Sequence, residues 1–335
     1  MISIHDELSR LQIAPSQHFR NLTFFPLIQP INNFPSRDYI LLEDGIAHRL
    51  VHVTEVHAAG SVPELAITND ALIPVLLIDG EELLGSKQNR VLNLSILVPA
   101  KHKCIIPVSC VEAGRWRVTS PEFRTADHFL YAGARSQRVS QVTQAMRTNG
   151  SHLSNQEAIW EELARKAERL DATSDTRAVA AIYSRHAHSL EEFTRAFQSH
   201  HQQVGAAFAI SGSIVGLDLF DHPDTLHRFF PKLLRSFALD ALDTPAKDTP
   251  PSTDALPAFF SALANAQSFS ENAIGLGKDL RFTSPVISGA GLYANDRYVH
   301  LCAFSHNPAI SDHKSALQTR LTRPSQRSFF RRFFS

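Results

Sequence analysis

Cysteine is scarce: three residues in a chain of 335. That excludes a disulfide scaffold and fits a reduced compartment, so a cytoplasmic protein is expected. Long hydrophobic runs are missing too. No stretch of about 18 uninterrupted apolar residues occurs, so no membrane-spanning helix is expected. The N-terminus has no basic region followed by an apolar run, so no signal peptide is expected. An excess of one charge sign is absent as well, with 33 Lys and Arg against 33 Asp and Glu. The usual catalytic and cofactor fingerprints do not occur: no G-x-G-x-x-G after a strand, no Walker loop, no HExxH, no GxSxG elbow. The 17 histidines include His186, His188, His200, His201, His222 and His227, but their spacing matches no ligand set. Neither a metal nor a cofactor is expected.

What is present describes a globular chain, 43% hydrophobic and 20% charged. The zero net charge hides segregation. Lys and Arg minus Asp and Glu gives −5 over 1–100, +5 over 101–150, −5 over 151–270 and +5 over 305–335. From Leu22 to Val118 short apolar runs alternate with turn residues, and Leu50 to Val56 shows the period of two that marks a half-buried strand. Farther on, Ser154 with Glu157 and Ser189 with Glu192 read as capping boxes, and a helix is expected from Asp221 through Leu242, with Pro231 in its first turns or kinking it. The segments 205–220 and 289–304 align without gaps, each as apolar strand, turn signal and apolar strand. They read as two hairpins of one sheet, or as a duplication with a site at its pseudo-symmetric interface. The fold class expected is α+β: an N-terminal antiparallel β-sandwich or barrel-like module over about 20–118, then a helical region with two β-hairpins over about 150–304, together forming a globular region 20–304.

The densest polar cluster in the β region runs from Asp79 to Arg90. If the strands on either side of the Pro99–Lys103 connection pair, the polar residues around Cys110 to Trp116 return to the same edge. That would assemble Glu81, Glu82 and Glu112 as candidate general acids or bases. Asp79, Lys87, Gln88, Asn89, Arg90, Cys110, Arg115 and Trp116 would be candidate ligand contacts, able to hold a phosphate or carboxylate and to stack a base. The competing reading is an exposed turn whose charges pair with one another. Cys110 itself reads as a buried strand cysteine, since no histidine sits beside it in sequence. The basic stretch 101–150 either walls the same site or is a solvated linker. Lys232 and Arg235, three apart on a helix, either reach that site or form a wet face. The tail 305–335, rich in Arg and Phe, reads as a disordered appendage that could adhere to membranes, nucleic acid or a partner groove.

Three runs carry a resemblance: Pro74 to Asn93 with its Lys87-Gln88-Asn89-Arg90, Ile106 to Trp116, and Pro231 to Asp240. Over about Leu22 to Phe304 the chain resembles the ARG and rhodanese-phosphatase-superfamily-associated protein domain, where ARG stands for ADP-ribosylglycohydrolase. The resemblance implies a place in an ADP-ribosylglycohydrolase-linked pathway and an anionic, nucleotide-like or ADP-ribose-like small molecule as ligand. It assigns no nucleophile and leaves open whether the protein is an enzyme. The rival expectations are a non-catalytic interaction or homo-oligomerisation module and, more weakly, nucleic-acid binding through 101–150 and the tail.

Overall fold

In the computed structural model, which describes residues 3–31, 34, 36–247 and 249–306, the alternating run around Val53 becomes the edge strand of a six-stranded antiparallel sheet. In spatial order its strands are Phe123–Phe129, Glu81–Gly85, Arg90–Leu92, His102–Cys110, Glu64–Asn69 and Val51–Glu55. The first and last of these touch, so the sheet curls into a half-barrel. Its interior is filled by Val53, Ile67, Leu83, Leu92, Ile106 and Phe123, the inward half of each alternating pattern. A three-stranded sheet of Ile40–Leu41, Val75–Leu77 and Ile96–Val98 flanks it. The Asp79-Gly80 turn that follows Val75–Leu77 needs its glycine twice over. Gly80 has φ of +89°, and an added Cβ would lie 2.6 Å from Nε of the buried Arg135. Gly80→Ala therefore loses about 2 kcal/mol or more, which urea unfolding would read as a lower midpoint at unchanged m-value.

A nine-stranded antiparallel sheet forms the second half. Its main order is Gln12–Ile13, Leu22–Ile28, Gln203–Ile210, Ser213–Phe220, Arg297–Ser305, Ile287–Ala294, Lys278–Thr283 and Gln267–Asn272, with Gln17–Phe19 also pairing to Leu22–Ile28. The N-terminal run Leu22–Ile28 thus belongs to the sheet of the C-terminal half. The two aligned segments are the two central hairpins, and they are paired to each other. Gly216 lies opposite Phe304 and Phe220 opposite His300, registers that the alignment exchanges. The correspondence extends to detail. Both hairpins carry a bulge at equivalent positions, Phe208/Ala209 and Leu292/Tyr293. Both turn through two residues of positive φ, Ser211-Gly212 and Asn295-Asp296, the I′ geometry that suits hairpin twist. A local pseudo-two-fold axis therefore passes between Asp218 and Cys302.

Helices cover this sheet. One face packs on Ala132–Asn149 and Pro223–Leu242, with Phe208, Phe220, Phe229, Phe237 and Val299 in the shared core. The other packs on Ile4–Ser9 and Ala255–Ala264. The basic stretch 101–150 is not a linker: it contains two strands and an 18-residue helix with Arg135 and Arg138 fully buried. Expected helix starts shift by a few residues. Asn155 caps Gln156–Arg169 by accepting from Ala158 N, while Ser154 Oγ bonds Ser109 Oγ instead. Ser189 falls inside Ala187–Ala196, because that helix starts directly after Val179–Arg185. His222 rather than Asp221 caps Pro223–Leu242, which runs through Pro231. The expectation for the basic tail, beyond residue 306, lies outside the described residues.

Candidate functional site

The sequence candidates fall into three places. The first holds the KQNR run and the residues from Cys110 to Trp116. Val108 pairs with Leu92 and Cys110 with Arg90, so the two polar ends do return to one edge. There they engage each other. Arg115 donates to Glu112 at 2.8 Å, to Ser86 O at 2.6 Å, to Gly85 O at 3.2 Å and to Asn89 Oδ1 at 3.0 Å. Gln88 Nε2 donates to Glu112 O, and Gln88 Oε1 accepts from Arg90 and from the Cys110 thiol. Burial pushes that thiol's pKa up, which leaves it a poor nucleophile. Lys87 and Arg90 lie over the half-exposed Trp116 ring, at 5.4 and 5.7 Å. A guanidinium with its donors spent on protein oxygens has little left for a ligand. The second place is a buried network around Asp79, which pairs with Arg135 and Arg138.

The third is a cleft of about 790 Å³ between the half-barrel and the helices, within the range of small-molecule sites. Its cationic wall comes from two elements. Arg228, Lys232 and Arg235 follow an i, i+4, i+7 stripe along Pro223–Leu242, and Arg124 projects from Phe123–Phe129. Lys232 Nζ lies 2.8 Å from Glu43 and 4.0 Å from Glu81. Arg235 pairs with Asp127, and Arg228 with Asp44 at 2.7 Å. Arg124 is exposed and has no ion-pair partner among the described residues.

Beneath this wall lie the two adjacent acids that open Glu81–Gly85. Their side chains leave the strand on opposite faces. Glu82 accepts from His128 Nε2 at 2.6 Å, and His128 Nδ1 lies 2.9 Å from Asp127. Burial opposes a proton on His128, but Glu82 and Asp127 outweigh it and raise its pKa. With a carboxylate at each nitrogen, the ring suits an imidazolium donating from both. Tyr183 stacks on it at 3.8 Å and anchors its own hydroxyl on Phe129 O. Hydrogen bonding from His128 in turn holds Asp127 well below the usual carboxylate range. Glu81 is fully buried. Ile78 N donates to its Oε2 at 3.2 Å, and Oε1 has no hydrogen-bond partner among the described residues. Burial pushes its pKa up to about 7, against the pull of Lys232.

Residues 10–304 match the ARG and Rhodanese-Phosphatase-superfamily-associated Protein domain. The chain belongs to that family. No curated protein and no solved structure matches it. In this member of the ARG and Rhodanese-Phosphatase-superfamily-associated family, the run Pro231 to Asp240 supplies Lys232 and Arg235 to the cleft, while the run Pro74 to Asn93 lines it with Leu84 and places the fully buried Glu81 and Glu82 behind the lining residues Lys232 and His128. The run Ile106 to Trp116 sits apart, in the self-paired cluster. Among the described residues no three His, Cys, Asp or Glu gather as a metal site, and no helix is long and apolar enough to cross a membrane. Asp127, His128, Tyr183 and Arg228 escaped sequence reasoning. The one local signal was the pair Asp127-His128 at the end of a strand carrying exposed-position charges.

Proposed function

We propose that the cleft binds an anionic, nucleotide-like small molecule, ADP-ribose being the member of that class to which the family's description points. The observation that supports this most is the cationic wall of Arg124, Arg228, Lys232 and Arg235 around a cleft of ligand size. An anionic group would sit at Arg124, whose guanidinium has no ion-pair partner among the described residues, and draw on Lys232 and Arg235 in competition with Glu43 and Asp127. The imidazolium of His128, both nitrogens engaged by Glu82 and Asp127, contributes positive charge to the wall and no free donor. Glu81 is the candidate acid–base group, because a carboxyl that changes charge near neutrality can both give and take a proton. On this reading Glu81, Glu82, Lys232 and Arg235 belong to the site, whereas Glu112, Arg90 and Arg115 shape the barrel edge.

A thermal-shift screen of ADP-ribose, ADP, NAD, inorganic phosphate and neutral ribose tests the reading. A ligand at about 100 times its dissociation constant adds about 2.7 kcal/mol by linkage. The expected result is stabilisation by one or more of the nucleotide-like anions, none by ribose, and a smaller effect at high salt. Stabilisation by none of these anions rejects it.

A further inference from the structure

Three acidic side chains stand on the cations of the cleft wall, and they are not held alike. Asp127 accepts from His128 as well as pairing with Arg235. That arginine also lies 3.6 Å from a second acid, Glu191. Asp44 pairs with Arg228, whose side chain is 49% exposed, and a pair so open to water contributes little. Glu43 differs from both. Among the described residues Lys232 is its one side-chain hydrogen-bond and ion-pair partner, at 2.8 Å. The Glu43 side chain is 45% exposed and that of Lys232 only 8%. A carboxylate that water reaches easily therefore holds an ammonium that water hardly reaches.

The helix that carries Glu43 is fixed, but the side chain is not. Leu42–Ala47 packs tightly on the half-barrel: Leu42 is fully buried, and a Cβ added to Gly45 would lie 2.5 Å from Val51 Cγ2. Rotation about the Glu43 side-chain bonds takes the carboxylate into solvent while that backbone stays in place. Lys232 is not stranded when this happens. Glu81 Oε1, buried and without a hydrogen-bond partner among the described residues, lies 4.0 Å from the same Nζ. It offers an acceptor in either protonation state. A buried ammonium left with no partner at all would be costly. An anionic ligand group that takes the place of Glu43 restores the contact Lys232 has lost. It must first displace a tethered rival, which competes at an effective concentration on the order of millimolar.

We propose that Glu43 is the gate of the cleft, an inference that rests on reading the cleft as an anion site: its carboxylate holds Lys232 in the place of a ligand's anionic group and swings into solvent to admit that group. Glu43 thereby sets how strongly an anion must bind before it is taken up. Removing it should tighten binding, the reverse of what loss of a ligand contact does. Calorimetric titration of ADP-ribose into the full-length wild type, Glu43→Gln, Glu43→Ala and Glu64→Gln tests this. Glu64 is an exposed carboxylate at the start of the half-barrel strand Glu64–Asn69, so its variant changes the net charge equally but leaves the gate intact. Both Glu43 variants should bind about fivefold more tightly than wild type, the upper end for a partly exposed ion pair. Binding to Glu64→Gln should be unchanged. Affinity unchanged or weakened in both Glu43 variants overturns the gate while leaving the cleft as the binding site. Equal tightening in Glu64→Gln also overturns it, because net charge alone would then account for the gain. Binding in the Glu43 variants alone supports the gate, and binding in none of the four proteins rejects the reading of the cleft and the gate with it.

Discussion

Arg135→Met should cost about 3–5 kcal/mol, because it removes the two-bond guanidinium partner of the buried Asp218 carboxylate, while Asp79 keeps Arg138. The wild-type guanidinium is fully buried and holds Asp218, itself 0% exposed, in a two-bond grip while contacting Asp79. Burial alone would raise the Asp218 pKa, but Arg135 and His300 reverse that and hold it low. In the variant the carboxylate stays charged without its partner or takes up a proton, and either outcome falls on the folded state. A domain's whole stability is about 5–15 kcal/mol, so this is a large fraction of it. The double variant Arg135→Met with Asp218→Leu removes the orphaned charge as well and should recover part of the loss. Urea unfolding of the three proteins measures this. A single variant within about 0.5 kcal/mol of wild type would mean that the network bears little of the fold.

Glu81→Gln should change how stability depends on pH between the acid range and neutrality. The Glu81 pKa rises from 4.5 to about 7 on folding, chiefly by burial. Its protonated form is therefore favoured in the folded state. The contribution is fully present below pH 4.5 and disappears as pH rises through about 7. The shift corresponds to about 3 kcal/mol. His128, also raised, loses stability in the same direction with rising pH, so the difference between wild type and Glu81→Gln isolates the carboxyl. Relative to the variant, wild type should lose about 3 kcal/mol between pH of about 4 and about 8. Parallel curves for the two proteins would place Glu81 in water and remove its candidacy as an acid–base group.

Much of this architecture was legible because its signals are local. The period of two around Val53 and the Ser211-Gly212 and Asn295-Asp296 turns describe elements by themselves, and the repeat between the hairpins survives in bulge position and turn geometry. Leu22–Ile28 is apolar apart from Thr23, close to the pattern of a strand buried on both faces, but its partner Gln203–Ile210 is about 180 residues away and no local rule names it. Helix Ala132–Asn149 was illegible for a different reason. Its buried face mixes Arg135, Arg138 and Thr143 with Val139, Val142 and Met146, so the apolar stripe that marks a packed helix is broken by the ion pairs it carries. The site divided along the same line. Charge density singled out Arg90, Glu112 and Arg115, and those side chains turn out to be spent within the cluster: Arg115 on Glu112, and Arg90 on Gln88 and backbone oxygens. Glu81, Glu82, Lys232 and Arg235 meet Asp127, His128 and Tyr183 only through tertiary packing of strand on helix.

The cleft is the central claim, and calorimetric titration of ADP-ribose into three proteins tests it most directly: wild type, Arg124→Ala and Lys87→Ala. Arg124 lines the cleft without an ion-pair partner among the described residues, while Lys87 binds Ala59 O at 2.6 Å beside Trp116 in the other cluster. Binding to wild type should weaken roughly tenfold or more in Arg124→Ala, about the 1.4 kcal/mol of a charge-assisted hydrogen bond, and stay unchanged in Lys87→Ala. Loss in Lys87→Ala with Arg124→Ala unaffected would move the site to the barrel edge and contradict the account.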